Sequence, residues 1–285
     1  MKSEEEILKK IIDFIEPDKN IKVAVLNGSR TNSKARRDFM RDYDVALYVQ
    51  NIKEALKYKK LRNWVNTFGD LAILQQNDFE NNAFIFLLQY SNSLRIDLSF
   101  YDIKYLEKNL KNDSLSILLY DREELAGNIP EPKENSYFVE RPSKQVWNET
   151  LNELWWLQCC IAKELWRDEI PLAKKLYDVH MMDCLRDLVS WYIAVDKEWS
   201  VNVGYGGKWF KNFLSSEIYK EYLYFYSGAN KDEQWEKLLN IGKFIRKIAQ
   251  PLSHKLRYDY PKTDDINVSK YIRKIHRLKP DAESL

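Results

Sequence analysis

The sequence predicts an α+β protein with two domains, a mixed sheet with flanking helices followed by an all-α helical bundle. Up to about residue 126, short apolar runs typical of buried strands alternate with runs at helical spacing. Beyond Pro142 the segments are long, amphipathic and rich in tryptophan, which is typical of packed helices. The prolines in the stretch from Gly127 to Pro142 indicate a linker, and we expect the domains to cover residues 1–135 and 136–285.

Each element is predicted from its apolar spacing and from the turn residues beside it. In the first domain, apolar residues at helical spacing predict a helix over Glu4–Ile15 and another near residues 61–68. Strands are predicted over residues 21–26, 45–49, 71–75, 83–90 and 94–100. In the second domain, helices are predicted over residues 144–167, 172–196, 217–227, 233–256 and 268–278.

Composition and charge exclude several classes of protein. The 285 residues carry a formal net charge of +2, so charge alone does not indicate a nucleic-acid partner. The longest apolar runs are far shorter than the roughly 20 residues that span a bilayer, and the first residues lack the apolar core of a signal peptide. The 3 cysteines and 3 histidines have spacings that suit neither a disulfide framework nor a zinc site. We therefore expect a cytoplasmic protein with no membrane or nucleic-acid partner, and we favour a monomer.

Two aspartates stand at the start of a predicted strand. Asp42 and Asp44 flank Tyr43 and lead into the apolar residues 45–49. Side chains two residues apart in a strand project from the same face, about 7 Å apart along the backbone. Two carboxylates placed in this way repel each other unless a cation lies between them or one is protonated. Since the sequence offers carboxylates rather than histidines, the pattern predicts a site for a hard ion such as Mg²⁺.

A third carboxylate lies on a later strand that alternates strictly. In residues 94–100 the apolar side chains share one face, and polar residues that include Arg95 and Asp97 share the other. If this strand lies near the strand that follows Asp42, three carboxylates meet in one place. Asp42, Asp44 and Asp97 are therefore the predicted catalytic and metal-binding residues, a set that suits in-line transfer of a phosphoryl-type group with two Mg²⁺ ions.

The first predicted strand runs into a glycine turn. Gly28 has no Cβ, which allows backbone N–H groups to approach a phosphate closely, and Ser29 adds a hydroxyl donor. Arg30 is expected to stabilise charge on the phosphates as pyrophosphate leaves. Each feature is common by itself. Their order along the chain, with a strand, a Gly-Ser turn, a polar loop and an Asp-x-Asp strand, favours a triphosphate site.

This ordered combination resembles the nucleotidyltransferase superfamily with a DNA polymerase β-like palm. Within it, the chain is similar to the aminoglycoside 6-adenylyltransferases, also called streptomycin adenylyltransferases. The resemblance spans nearly the whole chain and is carried by residues 27–32, 38–39, 42–44, 68–69, 71–75, 95–99, 141–142, 152–155 and 163–170, together with Trp64. It implies a polymerase β-like palm followed by a helical substrate-binding domain.

The resemblance also implies an activity and assigns roles to the palm residues. The implied reaction is transfer of AMP from Mg·ATP to the 6-hydroxyl of streptomycin, which releases pyrophosphate and inactivates the antibiotic. Gly28 and Ser29 would hold the triphosphate, and Asp42 and Asp44 would bind Mg²⁺. Asp97 would be the third carboxylate, as metal ligand, general base or both, because an alcohol is a poor nucleophile until its proton is removed or its oxygen is bound to a metal.

The helical domain offers candidates for contact with both substrates. Glu149 and Glu153 lie four residues apart, close to Trp155, and would present negative charge and an aromatic face to a cationic acceptor. Lys163 and Arg167, also four residues apart, are expected to contact the triphosphate of ATP. The same spacings are typical of solvated helix faces, and tryptophans on such helices more often pack in the core.

Three other interpretations remain open on sequence alone. The same fold and chemistry would serve a different acceptor, namely another small molecule or a hydroxyl of a protein or RNA. A regulatory module would bind the nucleotide without turnover, although the presence of all three aspartates disfavours it. A helical interaction protein would retain its function after Asp42 or Asp44 is replaced by asparagine, so that substitution separates it from an enzyme.

Overall fold

The computed structural model describes residues 3–279 and 281–283, which form two compact units. The first unit covers Met1–Ser136 and contains the sheet, while the second covers Tyr137–Leu285 and is built from helices. Each unit has its own hydrophobic core. Among the described helices, none combines the length and the apolar character that a membrane span requires.

The elements are as follows in chain order. The strands are β1 (Ile21–Asn27), β2 (Tyr43–Val49), β3 (Leu71–Asp78), β4 (Phe84–Tyr90), β5 (Arg95–Asp102) and β6 (Ser116–Asp121). The α-helices of the first unit are α1 (Glu4–Ile15), α2 (Ile52–Ala55), α3 (Lys57–Lys60) and α4 (Leu106–Asn112). Those of the second are α5 (Lys144–Trp166), α6 (Ile170–Lys175), α7 (Met182–Val195), α8 (Phe210–Phe213), α9 (Ser216–Tyr224), α10 (Lys231–Leu256) and α11 (Lys262–His276). Short 3₁₀ turns cover Gly28–Arg30, Asn63–Thr67, Glu80–Asn82, Ile103–Tyr105, Asn135–Tyr137 and Tyr205–Gly207, and a π-helical turn covers Leu176–Met181.

In the part of the chain that the structure describes, six strands form one mixed sheet in the order β3-β4-β5-β2-β1-β6. Strands β2 and β5 run parallel, whereas the other neighbouring pairs are antiparallel. Because β2 lies between β1 and β5, the start of β2 is adjacent to the end of β1 and to the start of β5. Three segments that are distant in sequence thereby meet at one end of the sheet.

Helix α1 shows how the local sequence builds the first unit. It begins with a capping box, in which the Ser3 hydroxyl accepts a hydrogen bond from the N–H of Glu6 and the Glu6 carboxylate accepts one from the N–H of Ser3. Both N–H groups at the helix start are thereby satisfied. Ile7, Ile11 and Ile15 recur at helical spacing and are buried in the larger core of this unit. Alternate residues of β1 and β2 contribute to a smaller core on the opposite face of the sheet, so the central residues of both strands are apolar on both faces.

The second unit is organised around two long helices, α5 with 23 residues and α10 with 26. Helix α5 begins at the N-cap Ser143, whose hydroxyl accepts a hydrogen bond from the N–H of Val146. It contacts α6, α7, α10 and α11, and it buries Trp147 and Trp155 in the core of the unit. The number of buried aromatic residues explains why tryptophan is frequent in this half of the sequence.

These elements confirm the predicted fold class, α+β with a mixed sheet followed by helices. The predicted helix over Glu4–Ile15 is confirmed, whereas the helix near residues 61–68 is a short 3₁₀ helix over Asn63–Thr67. The sequence does not predict α4 or β6, because α4 buries Leu106 alone among its residues and β6 leaves Ile117 partly exposed. Neither element therefore shows a clear apolar period.

Candidate active site

The predicted catalytic carboxylates lie at the start of two neighbouring strands. Asp44 is the second residue of β2, and Asp42 directly precedes this strand. In the parallel pairing of β2 with β5, Asp44 is opposite Asp97. Residues opposite each other in a sheet place their side chains on the same face, so the register brings Asp44 and Asp97 together.

Arg95 links two of these carboxylates. Its Nε and Nη2 atoms donate to the two oxygens of Asp97 at 3.0 and 2.9 Å, which is a bidentate pair. The same Nε lies 3.5 Å from Oδ2 of Asp42. Asp97 is buried and the Arg95 side chain is 39% exposed, so the guanidinium lies between this carboxylate and solvent. The structure thus places Asp42, Asp44 and Asp97 at one end of the sheet.

Asp44 is in an environment that disfavours its negative charge. Burial is the largest cause that raises the pKa of Asp44 to about 6, and the negative charges of Asp97 and Asp42 raise it further. The charge of Asp113 acts in the same direction, whereas that of Arg95 opposes it. A carboxyl group in this setting favours either protonation or a cation at short range. The electrostatics of this end of the sheet therefore suit a positive ion.

The turn after β1 brings the backbone against Asp44. Gly28 has a φ of +75°, and a Cβ at this position would lie 2.5 Å from Oδ2 of Asp44. The N–H and the hydroxyl of Thr31 both donate to the carbonyl of Gly28, at 3.2 and 2.9 Å, and close the turn. The N–H of Gly28 donates to the carbonyl of Leu115 at 3.2 Å. The specific contribution of Gly28 is therefore the close approach of the turn to Asp44.

Arg30 has a structural role, which corrects its predicted contact with phosphate. Its Nε and Nη2 donate to the carbonyls of Asp42 and Arg41 at 3.0 and 2.7 Å, and its Nη1 donates to Oε2 of Glu4 at 2.9 Å. The guanidinium carbon lies 3.4 Å from the centre of the Tyr43 ring. Because all three nitrogens are engaged within the protein and the side chain is 6% exposed, Arg30 fixes the start of β2 rather than a phosphate group.

The loop after Gly28 is held by a buried carboxylate from a distant segment. Asn32 is buried and donates through Nδ2 to Oε1 of Glu134 at 2.9 Å. The other oxygen of Glu134 lies 2.7 Å from Nζ of Lys34. Ser29 lies in the 3₁₀ turn of the same loop, so this anchoring also restricts the position of its hydroxyl. Sequence reasoning misses Glu134, because its partner Asn32 lies 102 residues earlier in the chain.

Asn27, the last residue of β1, connects the glycine turn to the segment before β6. Its Nδ2 donates to Oδ2 of Asp113 at 3.0 Å and to Oγ of Ser116 at 2.7 Å. The N–H of Leu115 donates to Oδ1 of Asp113 at 2.9 Å. Because Asn27 directly precedes Gly28, the turn and the Asp113 segment form one hydrogen-bonded arrangement. In the sequence, this arrangement is indicated only by the polar residue Asn27 at the end of an apolar strand.

Lys163 and Arg167, the predicted triphosphate contacts, lie in the second unit at the end of α5. Nζ of Lys163 is 2.9 Å from Oε1 of Glu164, and Nη1 of Arg167 is 3.8 Å from Oε2 of the same carboxylate. Glu164 is buried, while the side chains of Lys163 and Arg167 are about half exposed. Their positive charges face solvent in part, and their contact with a nucleotide stays a prediction.

The acceptor-binding candidates on α5 differ in exposure. Glu149 and Glu153 are exposed, as expected of residues that meet a ligand. Trp155 is 1% exposed, and a Cβ at Gly242 would come within 3.2 Å of its ring. Trp155 is therefore a core residue and offers no face to a substrate, which corrects that candidate. The neighbouring Trp156 is 63% exposed, because adjacent residues of a helix point in different directions.

Comparisons with known proteins identify the family. A model of the streptomycin adenylyltransferase family matches residues 1–275. The chain belongs to the streptomycin adenylyltransferase family. It is 28% identical over 285 residues to an aminoglycoside 6-adenylyltransferase of Bacillus subtilis, a match that covers 97% of this chain and 99% of that relative. A protein of the same name from Campylobacter jejuni is 25% identical and covers 95% of each chain.

A solved structure is also similar over its full length. It is the crystal structure of an aminoglycoside 6-adenyltransferase from Bacillus subtilis, with a TM-score of 0.49 and 23% sequence identity. The match covers 98% of this chain and 100% of that chain. Membership in the streptomycin adenylyltransferase family makes this chain a nucleotidyltransferase.

A nucleotidyltransferase of this family is expected to use a nucleotide and a divalent metal ion, and the carboxylates fit such an ion in charge and chemistry. Asp42, Asp44 and Asp97 offer the oxygen ligands that Mg²⁺ prefers, and the pKa of Asp44 is raised first by burial and then by the negative charges of Asp97 and Asp42, which a cation would offset. Within residues 3–279 and 281–283, however, no three such side chains are already arranged to hold a metal ion. Arg95 engages both oxygens of Asp97. Its guanidinium would therefore compete with a metal ion for this carboxylate.

Replacing Arg95 with methionine is expected to destabilise the metal-free enzyme and to make its stability more responsive to Mg²⁺. Asp42 and Asp97 lose a cationic partner, at a cost of about 1 kcal/mol for a pair that is partly exposed, which corresponds to a Tm lower by about 2–4 °C. With the competing guanidinium removed, Mg²⁺ should then raise the Tm of the variant more than that of the wild type. Thermal melting in EDTA and at increasing MgCl₂ concentrations measures both effects.

Arg36→Met is the matched control for this substitution. The Arg36 side chain is 89% exposed, and its pair with Asp38 lies on the surface. This control should melt like the wild type with and without Mg²⁺. An equal response to Mg²⁺ in the wild type and the Arg95 variant would contradict competition between the guanidinium and the metal ion.

Proposed function

We propose that this enzyme transfers AMP from Mg·ATP to the 6-hydroxyl of streptomycin, releases pyrophosphate and thereby gives resistance to the antibiotic. The observation that carries the proposal is the strand register that sets Asp44 beside Asp97, with the Gly28 turn packed against Asp44. Carboxylates can hold the divalent ions that assist an in-line transfer, and a glycine turn beside them can accommodate the phosphates. The family match, and relatives that are named aminoglycoside 6-adenylyltransferases, support an aminoglycoside as acceptor.

In this proposal the glycine turn holds the triphosphate. The absence of a Cβ at Gly28 lets the phosphate approach the backbone, and the hydroxyl of Ser29 donates to a phosphate oxygen. The acceptor hydroxyl attacks the α-phosphorus, and the new oxygen–phosphorus bond forms as the bond to the bridging oxygen of pyrophosphate breaks. The hydroxyl loses its proton in this step, and Asp97 is the proposed proton acceptor, metal ligand or both.

Asp42, Asp44 and Asp97 are the proposed ligands of Mg²⁺, with two ions in the site. When bound, Mg²⁺ supplies positive charge to the phosphate oxygens and makes the acceptor hydroxyl easier to deprotonate. The chain itself contributes positioning. The register of β2 with β5 fixes Asp44 and Asp97, and Arg30 holds the start of β2 through the carbonyl of Asp42.

We propose that residues 136–285 form the substrate-binding domain. Glu149 and Glu153 lie one helical turn apart and are exposed, and they would attract a cationic acceptor. Lys163 and Arg167 are about half exposed and would supply positive charge to the triphosphate. Because the donor is ATP, we place the reaction in the cytoplasm.

The proposal is tested by incubating the protein with ATP labelled at the α-phosphate, MgCl₂ and streptomycin. The expected product is streptomycin that carries AMP on its 6-hydroxyl, identified by mass spectrometry and NMR and formed in equal amounts with pyrophosphate. Other aminoglycosides, and protein and RNA acceptors, are assayed in parallel to measure specificity. Transfer to one of these instead of streptomycin would change the acceptor but keep the chemistry, and absence of transfer to all of them would overturn the proposal.

A further inference from the structure

The turn that follows β1 is fixed at its entry by the segment before β6. Asn27 donates through Nδ2 to Oδ2 of Asp113 at 3.0 Å and to Oγ of Ser116 at 2.7 Å. The N–H of Gly28 donates to the carbonyl of Leu115 at 3.2 Å. Side-chain and backbone hydrogen bonds thus attach the entry of the turn to one short segment that lies far away in sequence.

The exit of the turn is attached to a different segment through a buried carboxylate. Asn32 and Glu134 are 4% and 8% exposed, and Nδ2 of Asn32 donates to Oε1 of Glu134 at 2.9 Å. Oδ1 of Asn32 accepts a hydrogen bond from the N–H of Lys34 at 2.9 Å, and its carbonyl accepts one from the N–H of Ala35 at 3.2 Å. Glu134 therefore holds the residue around which the exit of the turn is hydrogen-bonded.

The two attachments are joined to each other through Ser114. The N–H of Lys133 donates to the carbonyl of Ser114 at 3.0 Å, and the hydroxyl of Ser114 donates to the carbonyl of Lys133. The N–H of Ser114 donates to Oγ of Ser136 at 3.0 Å. Ser114 belongs to the segment that holds Gly28, and Lys133 directly precedes Glu134. The chain and these hydrogen bonds therefore form a closed ring that includes both ends of the turn.

We propose that Glu134 is a positioning residue for AMP transfer, which acts through Asn32 to fix the turn that carries Ser29. The inference rests on the proposed function, because the position of Ser29 matters to the reaction only if its hydroxyl meets the triphosphate. A short turn that is held at both ends has little freedom, whereas a turn held only at its entry can move at the other end. A displacement of about 1 Å in such a group can cost about a hundredfold in rate.

Two contacts of Glu134 differ in how much they can contribute. Nζ of Lys34 lies 2.7 Å from Oε2 of Glu134, but the Lys34 side chain is 72% exposed, so water and salt screen this pair. The hydrogen bond to Asn32 is buried, and its loss would leave an amide N–H without a partner away from water. The buried hydrogen bond is therefore the contact through which Glu134 acts.

Substitutions separate these two contacts in assays of AMP transfer. Glu134→Ala removes both contacts, whereas Glu134→Gln keeps the volume and an acceptor oxygen for Asn32, and Lys34→Met removes only the ion pair. We expect kcat to fall by about tenfold or more in Glu134→Ala and to stay within about twofold of the wild type in the other two variants. The KM for ATP should change less than kcat, because the turn positions a nucleotide that is already bound.

Hydrogen exchange of the metal-free protein, followed by mass spectrometry, measures the order of the turn without substrate. The N–H groups of Thr31 and Ala35 donate to the carbonyls of Gly28 and Asn32, so their exchange reports whether the turn is intact. Peptides that cover residues 28–35 should exchange faster in Glu134→Ala than in the wild type and in Glu134→Gln. Peptides from the central part of β2 should exchange alike in all three proteins.

Asp265→Ala is the matched control for the loss of a buried carboxylate. Asp265 is 4% exposed, lies in the second unit, and its Oδ2 accepts hydrogen bonds from Arg246 at 2.6 Å and from Tyr260 at 2.8 Å. This variant should lose stability but keep its kcat well below its Tm, with unchanged exchange in residues 28–35. A purely structural role for Glu134 would give the same result in Glu134→Ala.

Asn32→Ala removes the same hydrogen bond from the other side and should reproduce the loss of kcat in Glu134→Ala. The double variant should then be no slower than the slower single variant, because both substitutions break one contact. If Glu134→Ala does not fold, Asn32→Ala replaces it in both measurements.

Three results would overturn the inference. These are an unchanged kcat in folded Glu134→Ala, unchanged exchange in residues 28–35, and a loss of kcat in Glu134→Gln as large as in the alanine variant. Absence of AMP transfer by the wild type would refute the proposed reaction itself. Transfer by the wild type, together with an unchanged kcat in Glu134→Ala, would refute the role of Glu134 alone.

Discussion

Substitution of Asp44 by asparagine is expected to abolish AMP transfer and, at the same time, to stabilise the metal-free protein. Asparagine keeps the shape of the side chain but loses the charge of the proposed metal ligand, so kcat/KM should fall at least about a thousandfold. The fold should survive, because residue 44 is held in β2 by backbone pairing with Asn27 and Asp97. An interaction protein with an incidental palm would show no loss of function.

The gain in stability follows from the raised pKa of Asp44. This carboxyl has an ordinary pKa of 3.8 in an open chain and about 6 in the folded protein, so its ionisation opposes folding. The cost is absent below about pH 4, grows as the pH rises towards about 6, and is complete above that value. At neutral pH it amounts to at most about 3 kcal/mol, and the asparagine variant avoids it.

Melting curves in EDTA between about pH 4 and pH 8 measure this difference. The two proteins should melt at similar temperatures at the acidic end, and the variant should melt higher at neutral pH. Mg²⁺ should then stabilise the wild type more than the variant. Asp13→Asn is the control, since the Asp13 side chain is 56% exposed, and it should leave turnover unchanged. Retained AMP transfer in the Asp44 variant, or a variant less stable than the wild type at neutral pH, would contradict the argument.

The sequence predicts those parts of the site that depend on local periodicity. Asp97 is identifiable because strict alternation in residues 94–100 puts it on the polar face of a strand. Asp42 and Asp44 are identifiable because they begin an apolar strand, and Gly28 because it ends one. These residues meet only if their strands are neighbours in the sheet. The sequence alone does not give the order of the strands, so their adjacency is an assumption until the structure is known.

The sequence does not predict contacts that depend on tertiary placement. Arg30 follows the glycine turn, as a phosphate ligand would, yet its side chain donates a hydrogen bond to Glu4 of α1. The sequence around Arg30 gives no sign of this pairing. Glu134 lies in the predicted linker, but it is buried against Asn32. Trp155 is buried and the adjacent Trp156 is exposed. Which face of α5 packs against the core is visible only in the folded structure.

Replacing Gly28 with alanine is expected to lower AMP transfer by about a hundredfold or more, the effect of misplacing a reacting group by about 1 Å. The new Cβ would lie 2.5 Å from Oδ2 of Asp44, a distance that real Cβ atoms do not tolerate, so either the turn or the carboxylate must shift. The φ of +75° adds backbone strain of about 1 kcal/mol for alanine. Steady-state kinetics and melting curves with and without MgCl₂ separate the two effects.

Gly206→Ala isolates the contact with Asp44 from the strain. Gly206 has a φ of +64°, and a Cβ there meets nothing within 4 Å, so this variant carries the strain without the collision. Both variants should lose similar stability from the backbone, but Gly28→Ala alone should lose turnover and part of its stabilisation by Mg²⁺. Alanine keeps the backbone N–H, which already donates to Leu115, so the loss would come from the new Cβ, which meets Asp44 and restricts the approach of the phosphate. Equal turnover in the two alanine variants would mean that the approach of the turn to Asp44 plays no part in catalysis.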